Sequence, residues 1–502
     1  MSKQNTTDLY AAYKARMHKI ADIRYASALM QWDQETYMPP KGAPFRGQQV
    51  ATLSEVAHEF FTDSATGELL KELQQRNDLS LTQRKNVQLT WEDYSKQKKY
   101  DSRFVRTMAE VVNKCFHSWL DARKQNNFRV FAPLLSILID LKKEEAGILG
   151  YSEHPYDALL NEHDKGTTVN KTDRIFSGIV QPLKQLLESI RSMPQVNDSF
   201  LYQHFPKDRQ WAFGMDLLKQ LGYDFEAGRQ DISEHPFSIS FNSNDVRITT
   251  RINENDLNSM AWSCIHELGH ALYEQGLPAD EYGLPLSEAV SYSIHESQSR
   301  LWENHIGRSL LFCETFLPVF KEHFPEQFKD VSAQQLFAAI NKVTPSLIRT
   351  EADELTYHFH VMIRYELEKK LLENTLSTDD IPTYWNEQYA NLMGVKVPND
   401  LRGCLQDVHW SHGSFGYFPT YSLGSFYAAQ FYATATRENS LIEEQLRNRE
   451  PGTLLQWLRN QVHIHGRMFT SEEMCVKISG EALNVVHLLK YLTDKYRIIY
   501  NF

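Results

Sequence analysis

Residues 261–276 read "AWSCIHELGHALYEQG". Ala261, Trp262, Ile265, Leu268, Ala271 and Leu272 make most of this helix's circumference apolar. A helix of that kind is stable only when other elements cover it, so it predicts a buried helix. Its polar character is concentrated in His266, Glu267 and His270, which spell H-E-x-x-H. Residues four apart on a helix point the same way, so both imidazoles reach one point while Glu267 faces the space beside it. Neutral imidazoles are good zinc ligands, and a carboxylate that does not ligate is placed to take a proton from a water the ion acidifies. The competing reading is two satisfied histidines on a polar helix face, and the apolar packing on the other sides weighs against it. Gly269, between the histidines, costs about 1 kcal/mol of helix propensity relative to alanine. That cost predicts a close approach by another element.

Working outward, helical periodicity dominates. Apolar residues recur at three- and four-residue steps over 102–125 and 128–149, and around 44–61, 83–98, 168–193, 308–323, 349–374, 423–436 and 482–499. The breaks carry turn chemistry: "YMPPKGAP" at 37–44, "NDLS" at 77–80, "SMPQVND" at 192–198 and "VPND" at 397–400. Glycine (22) and proline (18) are scarce in 502 residues, which favours long helices over turn-rich β structure. No fixed-period repeat or low-complexity linker divides the chain. The expectation is a mainly α fold, one large helical body over residues 1–502.

One segment differs. "HPFSISFNSNDVRITTRI" (235–252) alternates Phe237, Ile239 and Phe241, turns through "NSND", and resumes with Val246 and Ile248. Period two around an Asn/Ser/Asp turn is a hairpin signal. This small β element runs straight into the H-E-x-x-H helix. An exposed strand beside a reaction centre can hold an extended peptide through main-chain hydrogen bonds.

Composition excludes several classes. A net charge of −11 with no basic block argues against nucleic acid. No stretch approaches the roughly 20 apolar residues of a membrane span, and the polar opening "MSKQNTTDLYAAYKARMHK" lacks a secretory core. Five isolated cysteines, at 115, 264, 313, 404 and 475, fit no disulfide framework and suggest a reducing compartment. Cytoplasmic is the expected location, with no membrane partner.

Two histidines do not hold zinc; a third protein ligand is needed beside an open position. The residues after His270, "ALYEQGLPADEYG", supply no third histidine. The next apolar-periodic segment, "LSEAVSYSIHESQSRLWENHI" (286–306), offers Glu288, His295, Glu296 and Glu303. A helix–loop–helix return brings this segment back beside the first helix, placing the metal-binding helices at about 256–306. Glu296, in its middle, is the expected third ligand. Glu288 is the rival, its alternative role being a carboxylate at a helix start. His295 points about 100° away from Glu296 on an ideal helix, so the two do not ligate together. The H-x-H pairs His358/His360 and His463/His465 face opposite ways and are read as structural. Cys264 reads as a small core residue.

At these residues the chain resembles the carboxypeptidase Taq family of metallocarboxypeptidases over nearly its whole length. The matching segments are "WDQETYMP" (32–39), "HPF" (235–237), "DVRIT" (245–249), "HELGH" (266–270), "HESQ" (295–298), "IRTEAD" (348–353), "GCLQDVHW" (403–410) and "FGYFPTY" (415–421). The resemblance implies an almost entirely helical fold with a long deep groove. It also implies one divalent ion per chain, Zn2+ or Co2+, removal of single C-terminal residues with broad specificity and a poor response to terminal proline, and a homodimer. Carried over, the ligands fall on His266, His270 and Glu296, and the general base on Glu267.

A carboxypeptidase must also recognise a free α-carboxylate, which a guanidinium does through paired hydrogen bonds. Arg349 and Arg247 are the two arginines the family pattern supplies; the competing reading is a brace on Asp353 or Asp245. His235 and His409 are expected in the cleft wall. Tyr421 is the expected oxyanion donor, with Tyr417 beside it. A related oligopeptidase or dipeptidyl carboxypeptidase is the alternative, and a binding protein with a structural metal the rival from another class.

Overall fold

The computed structural model describes residues 5–502. Its longest helix, Thr6–Thr36, starts where the Asn5 side chain accepts from the Thr7 N–H, and it turns through Pro40–Gly42 into Ala43–Thr62. With Ser64–Gln74 and Leu81–Gln97 this hairpin closes a small apolar core of Tyr13, Met17, Phe61, Leu70 and Val87, reached from elsewhere by Leu284. A much larger core takes in most of the other buried apolar side chains, with the H-E-x-x-H helix Leu257–Glu274 inside it.

Among the described residues there are twenty-one α-helices and one three-stranded sheet. The fold is mainly α, as the periodicity predicts. Several boundaries move for local reasons. The segment at 128–149 opens with a separate turn, Phe128–Val130, before the helix Ala132–Leu149, where Pro133 suits a first helical turn. The segment at 349–374 opens with a 3-10 turn, Arg349–Glu351, and is α-helical only over Tyr357–Leu372. There the Asp353 side chain accepts from the N–H groups of Leu355 and Thr356, offering the backbone an alternative to an earlier helix. The last aromatic helix begins at Phe418, before the expected 423, with Pro419 in its first turn.

The hairpin forms as β2 (Ser238–Asn242) and β3 (Asp245–Thr250), antiparallel, with an irregularity between Ser240 and Asn242. A further strand, β1 (Gly228–Ile232), pairs parallel with β3 and makes the order β1-β3-β2. Its sequence, "GRQDI", has no apolar alternation, and only tertiary contacts bury Gln230 and Asp231. The "WDQETYMP" segment docks on this sheet. Trp32 lies beneath the guanidinium groups of Arg229 (5.4 Å) and Arg247 (4.4 Å), and the Tyr37 hydroxyl donates to Asp231.

The segment at 286–306 is not one helix. It starts in a short 3-10 turn, Pro285–Ser287, continues without regular structure to Ser291, forms Tyr292–Arg300, and passes into a wider π turn, Leu301–Gly307. Its approach to the H-E-x-x-H helix is close at Gly269, where a Cβ would sit 2.5 Å from the Ser299 Cα and 2.6 Å from the Gln298 carbonyl oxygen. On its other side Gly424 repeats the device: a Cβ there would lie 2.6 Å from the Glu296 side chain. Two glycines thus let three helices close on Glu296 from both sides. Among the described residues no helix is long and apolar enough to cross a membrane.

Candidate metal centre and groove

His266 and His270 are one helical turn apart on Leu257–Glu274 and face Glu296 of the neighbouring helix. One ligand atom from each of the three lies within 4.8 Å of the others. Glu296 Oε2 stands 3.5 Å from His270 Nε2 and 3.8 Å from His266 Nε2. The outer nitrogens are already occupied: His266 Nδ1 pairs with Glu303 Oε2 at 2.8 Å, and His270 Nδ1 with the His295 carbonyl at 3.1 Å. Both Nε2 lone pairs are therefore turned inward. A donor set of two imidazoles and a carboxylate, each imidazole held from behind, fits a divalent ion.

The charges around the site agree. Burial, with His295 and His266 nearby, holds His270 well below the usual histidine range, so it is neutral. Burial pulls His266 the same way, but Glu296 and Glu303 outweigh it and raise the group. Burial pushes Glu303 up as well, and Arg300, the His266 hydrogen bond and Arg308 reverse this and hold it well below the carboxylate range. Arg300 also donates to Glu296 Oε1 at 2.7 Å. Glu267, buried beside the histidines, is pushed up to about 7, chiefly by burial, while His266 and Ser238 lower it. A carboxyl poised there suits proton transfer near neutral pH.

The three converging residues lie at one side of a groove of about 910 Å³. His266, Glu267, His270, Glu296, Tyr417 and Tyr421 all line it. Burial keeps both phenols well above their ordinary range, so they stay neutral donors. The Tyr421 hydroxyl lies 3.1 Å from His409 Nε2, and the Arg349 guanidinium stacks 4.8 Å from the Tyr421 ring.

Four expected residues are not among those that line the groove. Arg349 is buried and committed to Asp407, at 3.0 Å from Nε and 2.9 Å from Nη2, not to Asp353. Arg247 forks onto Asp245 at 2.8 and 2.9 Å. His409 meets the groove through Tyr421 and Tyr417, its ring 5.7 Å from the latter's. His235 is exposed, and its neighbours Pro236 and Phe237 do the lining. Of the rival ligands, Glu288 pairs with Arg467 at 2.7 Å, and His295 stacks on His270 and pairs with Glu274 at 2.9 Å. His358 and His360 are buried on Ser422 and Tyr389, and all five cysteines are free and buried.

Sequence reasoning missed the supporting residues. Glu303 was in view only as a possible ligand; its bond to His266 depends on how two helices cross. His163, Tyr292 and Arg467 also line the groove, and nothing local distinguishes them from ordinary surface residues.

A deep groove with a His-His-Glu centre at its wall and a buried free carboxylate beside it defines the metallopeptidase class. Comparison narrows this. Residues 12–496 match the model of the carboxypeptidase Taq (M32) metallopeptidase family. The chain is 38% identical to carboxypeptidase 1 of Bacillus subtilis over 96% of its own length and 97% of that protein's. It is 39% identical to thermostable carboxypeptidase 1 of Thermus thermophilus, covering 98% and 99%. The crystal structure of the M32 carboxypeptidase from Deinococcus radiodurans superposes with a TM-score of 0.97 at 37% identity, covering 99% of this chain and all of that one. The chain belongs to the carboxypeptidase Taq (M32) family and is a metal-dependent peptide hydrolase.

Proposed function

We propose that this enzyme releases single amino acids from the free C-termini of peptides, with broad specificity, and that His266, His270 and Glu296 hold its one divalent ion, Zn2+ or Co2+. The observation that carries the reading is the convergence of those three side chains beside the buried Glu267 in the groove. An ion held there supplies Lewis acidity, polarising the scissile carbonyl and acidifying a water. Glu267 takes the proton from the attacking water and delivers it to the departing amine. Its burial supports this, since a carboxyl pushed up to about 7 both accepts and returns a proton. Tyr421 donates to the developing oxyanion, held by His409 and Arg349, with Tyr417 next to it. Arg349 and Arg247 are proposed to serve the substrate carboxylate through the elements they brace, and His235 through the groove wall beside it.

Residues 1–502 act as one catalytic body, a homodimer in the cytoplasm; the five free cysteines support a reducing compartment. The test is one unstructured peptide as free acid and as C-terminal amide, with products followed by mass. A ladder of single losses from the free acid alone is expected. Equal cleavage of both forms, or dipeptide products, would replace the reading with an oligopeptidase or dipeptidyl carboxypeptidase.

A further inference from the structure

Three rings stand together in the groove, one helical turn from the residues that converge on the metal site. Tyr292 precedes Glu296 by four residues on the helix Tyr292–Arg300, so the two share a face. Tyr417, at the start of the helix Phe418–Glu438, keeps the same spacing to Tyr421, their rings 5.2 Å apart. Tyr292 and Tyr417 meet at 5.1 Å, and His163 closes the triangle at 5.7 and 5.1 Å. All three line the groove. His163 Nε2 donates to the Phe415 carbonyl at 3.1 Å, and burial lowers the group to about 4, so it offers an uncharged, anchored ring. Tyr292 is 51% exposed. Aromatic surface left open inside a concave groove has a place for an apolar ligand group. The side of the groove served by Arg349 lies the other way. Arg349 stacks on Tyr421 at 4.8 Å and donates to Tyr357 at 3.2 Å, and the Tyr357 ring lies under Arg300, one turn beyond Glu296.

We propose that Tyr292, Tyr417 and His163 form the pocket for the penultimate side chain of the substrate, and that the pocket favours aromatic and large aliphatic residues. The proposal rests on the carboxypeptidase reading above and names a preference within it. The penultimate residue carries the scissile carbonyl, so its side chain begins two bonds from the reacting carbon. With the α-carboxylate on the Arg349 side, that side chain turns the opposite way, toward the three rings. Ring-to-ring and ring-to-methyl contacts attract it there. An acidic side chain gains nothing comparable. The ring faces are electronegative, and the lysines near His163 in the groove are already engaged, Lys96 with Glu162 at 2.9 Å and Lys165 with Glu92 at 2.5 Å.

The test uses the metal-loaded enzyme and N-acetylated pentapeptide acids, all alanine except for phenylalanine, leucine or aspartate at either the penultimate or the terminal position. In wild type, penultimate phenylalanine should raise kcat/KM at least about ten-fold over alanine, with leucine between them and aspartate below alanine. In Tyr292→Ala, shown to be folded by thermal melting, that phenylalanine-to-alanine ratio should fall roughly three- to ten-fold, while in Tyr292→Phe, which keeps the ring, it should stay within about two-fold of wild type. The same ratio taken at the terminal position should move little in either variant. No penultimate preference in wild type, an unchanged penultimate ratio in Tyr292→Ala, or an equal or larger fall at the terminal position would each overturn the pocket and leave the proposed function standing. Failure of wild type to release single residues from any of these peptides would overturn both.

Discussion

Glu303 is the most informative residue to perturb, because it holds the ligand His266 directly and shares Arg300 with the ligand Glu296. Its Oε2 takes the His266 Nδ1 at 2.8 Å and Arg300 Nη1 at 3.1 Å, while Oε1 faces Arg308 at 3.2 and 3.3 Å. Glu303→Gln keeps the volume and one acceptor oxygen but removes the charge. His266 then loses the charge-assisted partner that fixes its tautomer and raises its basicity. Losses of such partners typically weaken metal binding about 10- to 100-fold, or roughly 1.4–2.7 kcal/mol. The upper end is expected here, because Arg300 and Arg308 are left with one carboxylate fewer beside a dication. The assay is competition of the apo-protein against a chromophoric chelator, with thermal melting to show that the variant is folded. A folded variant whose metal dissociation constant stays within three-fold of wild type would refute the reasoning.

Three further outcomes are expected. Glu267→Gln should retain the ion but lose at least about 100-fold in turnover, whereas His270→Ala should lose the ion too; metal content and kcat measured together separate the two. Gly269→Ala forces a Cβ to within 2.5 Å of the Ser299 backbone, which should destabilise by about 1–3 kcal/mol or more. Gly147→Ala, where a Cβ meets nothing within 4 Å, should be neutral or slightly stabilising in the same melting experiment. Glu368 is buried under Tyr156, Trp410 and Gly416 and raised from 4.5 to about 7, chiefly by burial. The fold holds that proton more tightly than the unfolded chain does, so stability falls as pH rises from about 4.5 to about 7, by up to about 3 kcal/mol. Glu368→Gln should therefore gain on wild type in thermal stability between pH 5 and pH 8; a widening deficit would count against it.

Periodicity and spacing alone determined the helical class, the hairpin at 235–252 and the one-faced array of His266, Glu267 and His270. Those properties are local: a 3.6-residue repeat and an i, i+4 spacing place side chains whatever surrounds them. Gly269 also announced a close approach without naming the partner. Glu296 was the expected third ligand, chosen by its place among several carboxylates on a returning segment and by the family pattern; Gly269 and Gly424, on two other helices, decide how closely it is held against the histidines. Tertiary structure alone decided that β1 exists, since "GRQDI" has no pattern until Tyr37 and Arg229 satisfy Asp231. It alone bound Arg349 to Asp407, 58 residues away, and set Glu303 behind His266. Ion pairs and hydrogen bonds between distant residues depend on where helices cross, and the crossing is set by packing across the whole core. No window of sequence contains it.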